Sequence, residues 1–144
     1  MPSPGTCNGT ALRKAARHVS LLYDAALAPL DLRGTQRAIL VHVARLGAPG
    51  MGDLAAALVL DRSALAHMIK PLVARKLLSV ERDPADGRGR IVRLTQAGTA
   101  LLAASAPLWQ TAQTRFEQAF GPAKAARLRA LLAEIAALDL SLTR

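Results

Sequence analysis

One stretch of the chain carries polar side chains at helical spacing. Residues 61–77 read DRSALAHMIKPLVARKL, in which apolar residues follow the i, i+3, i+4, i+7, i+8 pattern of one helix face. That face comprises Leu65, Met68, Ile69, Leu72 and Val73. The other face presents Arg62, Ser63, Ala64, His67 and Lys70. Serine and arginine bind phosphate, and arginine, histidine and lysine donate to base acceptors such as guanine O6 and N7. We therefore expect Arg62 and His67 to reach base edges.

A second basic group follows in a predicted hairpin. The runs LLSVER and RIVRL are separated by DPADGRG, whose Pro, Asp and Gly residues supply turn dihedrals. Arg88 and Arg90 flank the turn, and we expect them to enter a narrow minor groove, where the potential favours arginine. Asp86 would repel phosphate, so we predict that it holds the loop or a neighbouring arginine. A solvated helix face and a solvated turn are the plainer alternatives for the two groups.

Catalytic and metal-binding patterns are absent from the sequence. There is no G-x-S-x-G elbow, no glycine-rich phosphate loop and no pair of carboxylates placed for acid–base work. The three histidines lie on three different predicted helices, and no cluster has metal-ligand spacing. We expect no catalytic residue, no metal and no cofactor, and therefore no enzyme.

Other elements must hold the polar helix face in position, and the surrounding sequence predicts a second helix and a tight turn beside it. Asp61 stands at the N-cap position of the helix, and GDLAAAL upstream predicts a short helix joined to it through Val59 and Leu60. Helix, tight turn, helix and hairpin in this order form a winged helix-turn-helix, which lays one helix in the major groove of DNA.

Long helices are predicted on both sides of this module. They cover residues 11–28 before Pro29, residues 35–46 capped by Thr35, residues 95–120 capped by Thr95 and interrupted by Pro107, and residues 122–140. The first and the last two have long apolar stripes that one protomer can hardly cover, which predicts self-association. Trp109 and Phe116 are expected in the dimer core rather than in a ligand cage.

Composition limits the number of domains, the class of partner and the compartment. A chain of 144 residues with 51% hydrophobic content supports one domain, and its formal charge of +9 favours a polyanionic partner. The basic excess is not confined to the central module, because residues 1–50 share it. The single cysteine, Cys7, fits a reducing compartment. Without a long apolar run or a signal-like start, we expect a cytoplasmic protein with no membrane contact.

The central residues resemble the MarR family of bacterial transcription regulators. The matching segments are GDLAAAL, DRSALAHMIKPLVARKLL and RDPADGRGRIVRLTQAG, with Asp86-Gly87-Arg88 as the D-x-R wing and Leu94-Thr95-x-x-Gly98 as the exit to the next helix. The resemblance extends from about residue 11 to the C-terminus. It implies a mainly α fold with a β-hairpin wing, in one domain of residues 1–144. The DNA-binding lobe would span about 35–94, and the dimerisation helices about 11–30 and 95–144.

Some positions depart from the family pattern. Ala64 and Ala66 replace frequent hydroxyl residues, His67 replaces an arginine, and Lys76 replaces a glycine, so fewer direct base contacts are expected. Pro71 is expected to kink the helix or to end its regular part early.

Cys7 invites comparison with one branch of the family that senses organic hydroperoxides through a cysteine. The position of that cysteine is Gly9 here, and one of its two supporting tyrosines is Arg13, although Tyr23 matches the other. We therefore do not expect a thiol switch.

The function implied is a homodimeric regulator, expected to be a repressor, that binds a pseudo-palindromic operator in double-stranded DNA. The resemblance also implies a small-molecule effector that shifts the spacing of the two DNA-binding lobes. A sequence-tolerant architectural DNA-binding protein and a winged-helix protein-interaction module are the alternatives.

Overall fold

A computed structural model describes residue 1 and residues 3–142. Its helices and strands, in chain order, are α1 (Asn8–Leu27), α2 (Gly34–Leu46), α3 (Met51–Ala57), α4 (Arg62–Ala74), β1 (Leu78–Arg82), β2 (Arg90–Leu94), α5 (Gln96–Phe120) and α6 (Pro122–Ala137). Short 3-10 turns occupy Pro4–Thr6 and Ala28–Leu30. The strands form one antiparallel hairpin, in which Leu78 pairs with Leu94 and Arg82 pairs with Arg90. The predicted mainly α winged helix-turn-helix fold is confirmed.

Two of the predicted helix caps are confirmed. The Asp61 carboxylate accepts from the Ala64 N–H at 2.7 Å at the start of α4. The Thr95 hydroxyl accepts from the Gly98 N–H at 2.9 Å at the start of α5. Both side chains satisfy donors that the first helical turn leaves unpaired.

The predicted cap of α2 is wrong. The N-cap is Arg33 rather than Thr35, and α2 begins at Gly34. The Gln36 side chain accepts from the Arg33 N–H at 3.0 Å, and the Asp24 carboxylate accepts from the Gly34 N–H at 2.8 Å. A carboxylate from α1 thus supplies the cap, and this long-range contact has no local signal in the sequence.

The prolines do not end their helices. Helix α4 continues through Pro71 to Ala74, so the predicted early end at Pro71 is wrong, and α5 continues through Pro107 to Phe120, which confirms its predicted extent. The kinks at the two prolines stay predictions. Packing offsets the lost backbone hydrogen bond, since Leu72, next to Pro71, is fully buried. Helix α6 ends at Ala137, earlier than the predicted residue 140.

The core lies where α2, α3, α4 and the hairpin meet. Its fully buried side chains include Ile39, Leu40, Leu54, Leu65, Leu72, Leu78 and Val92. Burial of Leu65 and Leu72 fixes the rotation of α4, so the polar face of this helix points away from the core. Val73, predicted as part of the apolar face, lies at its edge and is exposed.

Left-handed backbone occurs in the connections on both sides of α4. Val59 has φ of 56° before the helix, and Lys76 has φ of 60° after it. This conformation costs an L-residue about 1–2 kcal/mol, and glycine avoids that cost. The family's glycine at the position of Lys76 therefore has a conformational reason.

The exit from the wing into α5 depends on a close backbone approach. The Leu77 carbonyl accepts from the Thr95 N–H at 3.1 Å, and the Thr95 hydroxyl donates to the Lys76 carbonyl at 2.6 Å. Gly98 is buried against the same connection, and a Cβ there would lie 2.0 Å from the Leu77 carbonyl oxygen. Only glycine fits at this point of the helix.

Candidate nucleic-acid interface

The outward face of α4 carries most of the predicted base-reading residues. Ser63, His67 and Lys70 are exposed, and Ala64 is half-buried beside them. They share one side of the helix because the buried residues Leu65 and Ile69 occupy the other side. The structure thus brings these four predicted site residues together.

Arg62 lies apart from this group. Its guanidinium lies across Gly52 of α3, where a Cβ would be 2.6 Å from one terminal nitrogen and 3.2 Å from Cζ. The side chain lines a cleft of about 390 Å³ together with Arg88 and Arg90 of the wing. The sequence placed Arg62 with His67 at base edges, whereas the structure places it with the wing arginines.

The wing turn is built by two aspartates. The Asp86 carboxylate accepts from the Arg88 N–H at 3.1 Å, and its backbone carbonyl accepts from the Gly89 N–H at 2.9 Å. The Asp83 carboxylate accepts from the Ala85 N–H at 2.9 Å. Asp83 was not among the predicted residues, although aspartate commonly bonds its own backbone in turns and the D-P-A-D spacing was available as a signal.

The arginines of the cleft are not neutralised by direct ion pairs. Within the described part of the chain the two ion pairs are Arg93 with Glu81 at 3.2 Å and Arg129 with Glu117 at 3.3 Å. The Arg90 side chain donates from its Nη1 to the Gly89 carbonyl at 3.2 Å. The three guanidinium groups are exposed, and the cleft is also lined by Asp53, Asp83 and Asp86.

A second cavity lies inside the protomer between α1, α2 and α5. It has a volume of about 320 Å³, and Tyr23, Arg37 and Trp109 are among the residues that line it. The Arg37 Nε donates to the buried Ser105 hydroxyl at 2.9 Å, and the guanidinium carbon lies 4.9 Å from the centroid of the Trp109 ring. Burial lowers the pKa of Arg37. Trp109 is partly buried and packs against the protomer's own core, and its place in a dimer core stays a prediction.

A polar network extends from this cavity towards α6. The Tyr23 hydroxyl donates to Gln113 at 2.6 Å, and the Gln113 side chain donates to Glu117 at 3.0 Å. Burial, and after it the Glu117 carboxylate, raises the pKa of Tyr23. Glu117 also pairs with Arg129 of α6. The network links α1, α5 and α6 through side chains.

Large apolar side chains remain exposed on α6 and along α1. In α6 only Ala125 is buried, while Leu131 is 54% exposed and Ile135 40%. Leu138, the C-cap residue after the helix, is 59% exposed. An open groove of about 510 Å³ between α1 and α5 is lined by Leu21, Leu22, Phe116 and Phe120 among others. Both apolar faces belong to the terminal helices and are exposed in the described protomer.

Cys7 caps α1 and is exposed. The Thr10 N–H donates to its sulfur at 3.4 Å, and hydrogen bonding by Thr10 lowers the pKa of the thiol. Tyr23 lies roughly 24 Å further along the same helix, given a rise of about 1.5 Å per residue. Cys7 and Tyr23 are therefore not adjacent within one protomer.

No helix among residues 1 and 3–142 combines the length and the apolar character needed to cross a membrane. The same residues contain no group of three or more histidine, cysteine, aspartate or glutamate side chains arranged to hold a metal ion.

The chain is similar to characterised transcription regulators. Residues 30–89 match the model of the MarR family. Over 100 residues the chain is 34% identical to the HTH-type transcriptional repressor NicR of Pseudomonas putida, and the match covers 69% of this chain. It spans 63% of the length of NicR.

Solved structures give a longer match. The transcriptional repressor CouR of Rhodococcus jostii, bound to a 23-mer DNA duplex, is 27% identical with a TM-score of 0.82, covering 94% of this chain and 99% of CouR. BpsR of Bordetella bronchiseptica, whose DNA binding is regulated by 6-hydroxynicotinic acid, is 27% identical with a TM-score of 0.84. That match covers 96% of this chain and 99% of BpsR.

Proposed function

The chain belongs to the MarR family of transcription regulators, and from that premise we propose that it is a homodimeric repressor of a pseudo-palindromic operator. The observation that carries the proposal is that helix α4 and the wing both contribute arginines to one cleft. Arg62 of α4 shares one cleft with Arg88 and Arg90 of the wing, and among the described residues none of these arginines forms a direct ion pair, although Asp53, Asp83 and Asp86 line the same cleft. NicR and CouR are both repressors, and this similarity supports repression rather than activation.

The proposed docking uses both elements of the winged helix. Ser63, His67 and Lys70 enter the major groove, and Ala64 offers an apolar contact of the kind that recognises a thymine methyl group. Arg88 and Arg90 follow the adjacent minor groove, with Asp86 holding the turn that presents them. Residues of about 35–94 form the DNA-binding lobe in this proposal.

Dimerisation uses the exposed apolar surface of the terminal helices, about residues 11–30 and 95–144. A twofold dimer presents two copies of α4, which matches an operator with two half-sites. The exposed leucines and isoleucine of α6 and the groove between α1 and α5 supply the apolar area that such an interface needs.

Helix and wing are expected to contribute differently to affinity. Replacing His67 by alanine should weaken binding to the operator by about 1–3 kcal/mol with little change on random DNA, because a base contact provides discrimination. Replacing Arg88 by alanine should weaken binding to both DNAs and reduce the salt slope by about one unit of log K per log salt. Binding titrations over a salt series on both DNAs measure these effects.

Arg17→Ala, on the exposed surface of α1, is the matched control for loss of charge and should change neither quantity. Equal losses on both DNAs for His67→Ala, combined with no loss for Arg88→Ala, would contradict the assigned roles. The same titrations distinguish the two alternative functions. An architectural protein would bind both DNAs about equally, and a protein-interaction module would bind neither at low salt.

We further propose that the cavity beside Arg37 binds a small aromatic acid that releases the DNA. Arg37 is a half-buried cation without an ion pair in the described chain, and it lies against the face of Trp109. A carboxylate would neutralise it, and an aromatic ring would pack on the apolar lining. Regulation of BpsR by 6-hydroxynicotinic acid supports this ligand class. The cavity joins α2 of the DNA-binding lobe to α1 and α5, so a ligand there changes the spacing of the lobes.

Replacing Arg37 by methionine should abolish this release while leaving operator binding intact. Methionine keeps an apolar stem and removes the charge that the acid needs, so the acid's apparent affinity should fall by about tenfold or more. DNA release is measured while 6-hydroxynicotinic acid or benzoic acid is added. Arg45→Met, on the exposed end of α2, is the control and should respond like the wild type. An unchanged response of Arg37→Met would reject Arg37 as the anion-binding residue.

A further inference from the structure

The contact between Gly52 and Arg62 has a consequence for DNA binding. Gly52 is the second residue of α3, and Arg62 is the first residue of α4. Three atoms of the Arg62 guanidinium, Nη2, Cζ and Nε, lie 2.6, 3.2 and 3.3 Å from the place where a Cβ of Gly52 would stand. The flat group therefore rests directly on the glycine backbone.

The glycine is not required for the backbone conformation of α3. Gly52 lies within the helix, and its φ is not positive, so alanine fits its backbone. The atoms nearest to the absent Cβ belong to the far end of a flexible side chain rather than to the backbone. A methyl group here would displace Arg62 and leave the fold in place.

The Arg62 side chain lies in the cleft that the wing arginines line. With its guanidinium on Gly52, Arg62 lines the same cleft as Arg88 and Arg90, together with Asp53, Asp83 and Asp86. A cation held at this point adds a third phosphate-binding group from a different element, and it is already oriented before DNA arrives.

We propose that Gly52 is a positioning residue for DNA binding, because its missing side chain seats the Arg62 guanidinium in the phosphate-binding cleft. Gly52 acts through Arg62 and need not touch DNA itself. The inference rests on the proposed DNA-binding function and adds to it a residue of α3 that motif comparison does not select.

The test is a double-mutant cycle of Gly52→Ala and Arg62→Ala on the full-length protein. Gly52→Ala should weaken binding to operator and random DNA alike by about tenfold and lower the salt slope by about one unit, as expected for a lost phosphate contact. Its thermal midpoint should stay the same or rise, because alanine favours a helix more than glycine does. In the Arg62→Ala background, Gly52→Ala should have no further effect on affinity.

Gly9→Ala is the matched control, since Gly9 is also the second residue of its helix and a Cβ there would lie 3.3 Å from the Arg13 guanidinium. It should leave DNA affinity unchanged. Additive losses of Gly52→Ala and Arg62→Ala, or full affinity of Gly52→Ala, would overturn the inference while the wild type still binds DNA. Absence of DNA binding by the wild type would instead reject the proposed function.

Discussion

Replacement of Gly98 by alanine is expected to lower the free energy of unfolding by about 3 kcal/mol. The new Cβ would lie 2.0 Å from the Leu77 carbonyl oxygen, 3.0 Å from the Leu77 carbonyl carbon and 3.1 Å from a methyl group of Leu94. The oxygen belongs to the backbone and accepts from the Thr95 N–H, so it cannot move without breaking the wing's exit into α5. The greater helix propensity of alanine offsets only about 1 kcal/mol of this loss in stability.

Chemical denaturation of both proteins measures this effect. Gly9→Ala serves as the control, because the atoms near its Cβ belong to the flexible Arg13 side chain, and it should be neutral or slightly stabilising. A Gly98→Ala protein as stable as the wild type would show that the junction between wing and α5 is not packed as described.

Replacement of Ile135 by aspartate is expected to dissociate the dimer and to weaken operator binding by about a hundredfold or more. Ile135 is exposed in the protomer and lies on one face of α6 with Leu131, and the exposed Leu138 follows as the C-cap residue. A charge buried in an apolar interface without a partner is strongly unfavourable. A monomer also loses the high effective concentration that a dimer has for its second half-site.

Light scattering gives the oligomeric state, and titration with the operator gives the affinity. Ala133→Asp introduces the same charge on the opposite face of α6, where it should change neither quantity. A wild-type protein that is a stable folded monomer at micromolar concentration would contradict the proposed assembly. So would an Ile135→Asp protein that remains dimeric.

Local patterns in the sequence were sufficient for most of the fold. The apolar spacing of α4, the caps Asp61 and Thr95, and the turn residues of DPADGRG all act within a few neighbouring residues. Such signals determine an element before tertiary packing is known.

The errors came from contacts between distant parts of the chain. Asp24 of α1 caps α2 and moves its start away from Thr35, and packing around Leu72 carries α4 through Pro71. The contact between Trp109 of α5 and Arg37 of α2 also joins residues that are far apart in the sequence. None of these contacts has a spacing that can be read along the sequence.

The sequence also predicted the candidate site only in part: it identified the residues but not how they are grouped. The sequence identified Arg62, His67, Arg88 and Arg90 as residues with suitable chemistry, but it grouped Arg62 with His67. The structure groups Arg62 with the wing arginines because Gly52, ten residues earlier, leaves room for the guanidinium. Side-chain direction at the first residue of a helix depends on the neighbouring element, and the periodicity of the helix does not specify it.

The central claim is that a dimer of this chain recognises a specific DNA sequence. Its most direct test is a pair of equilibrium titrations at one salt concentration, on a duplex selected from the source genome by the protein and on a random duplex of equal length. The account predicts an affinity for the selected duplex higher by about a thousandfold or more, with one dimer bound. Equal affinities for the two duplexes, or no binding to either at low salt, would contradict it.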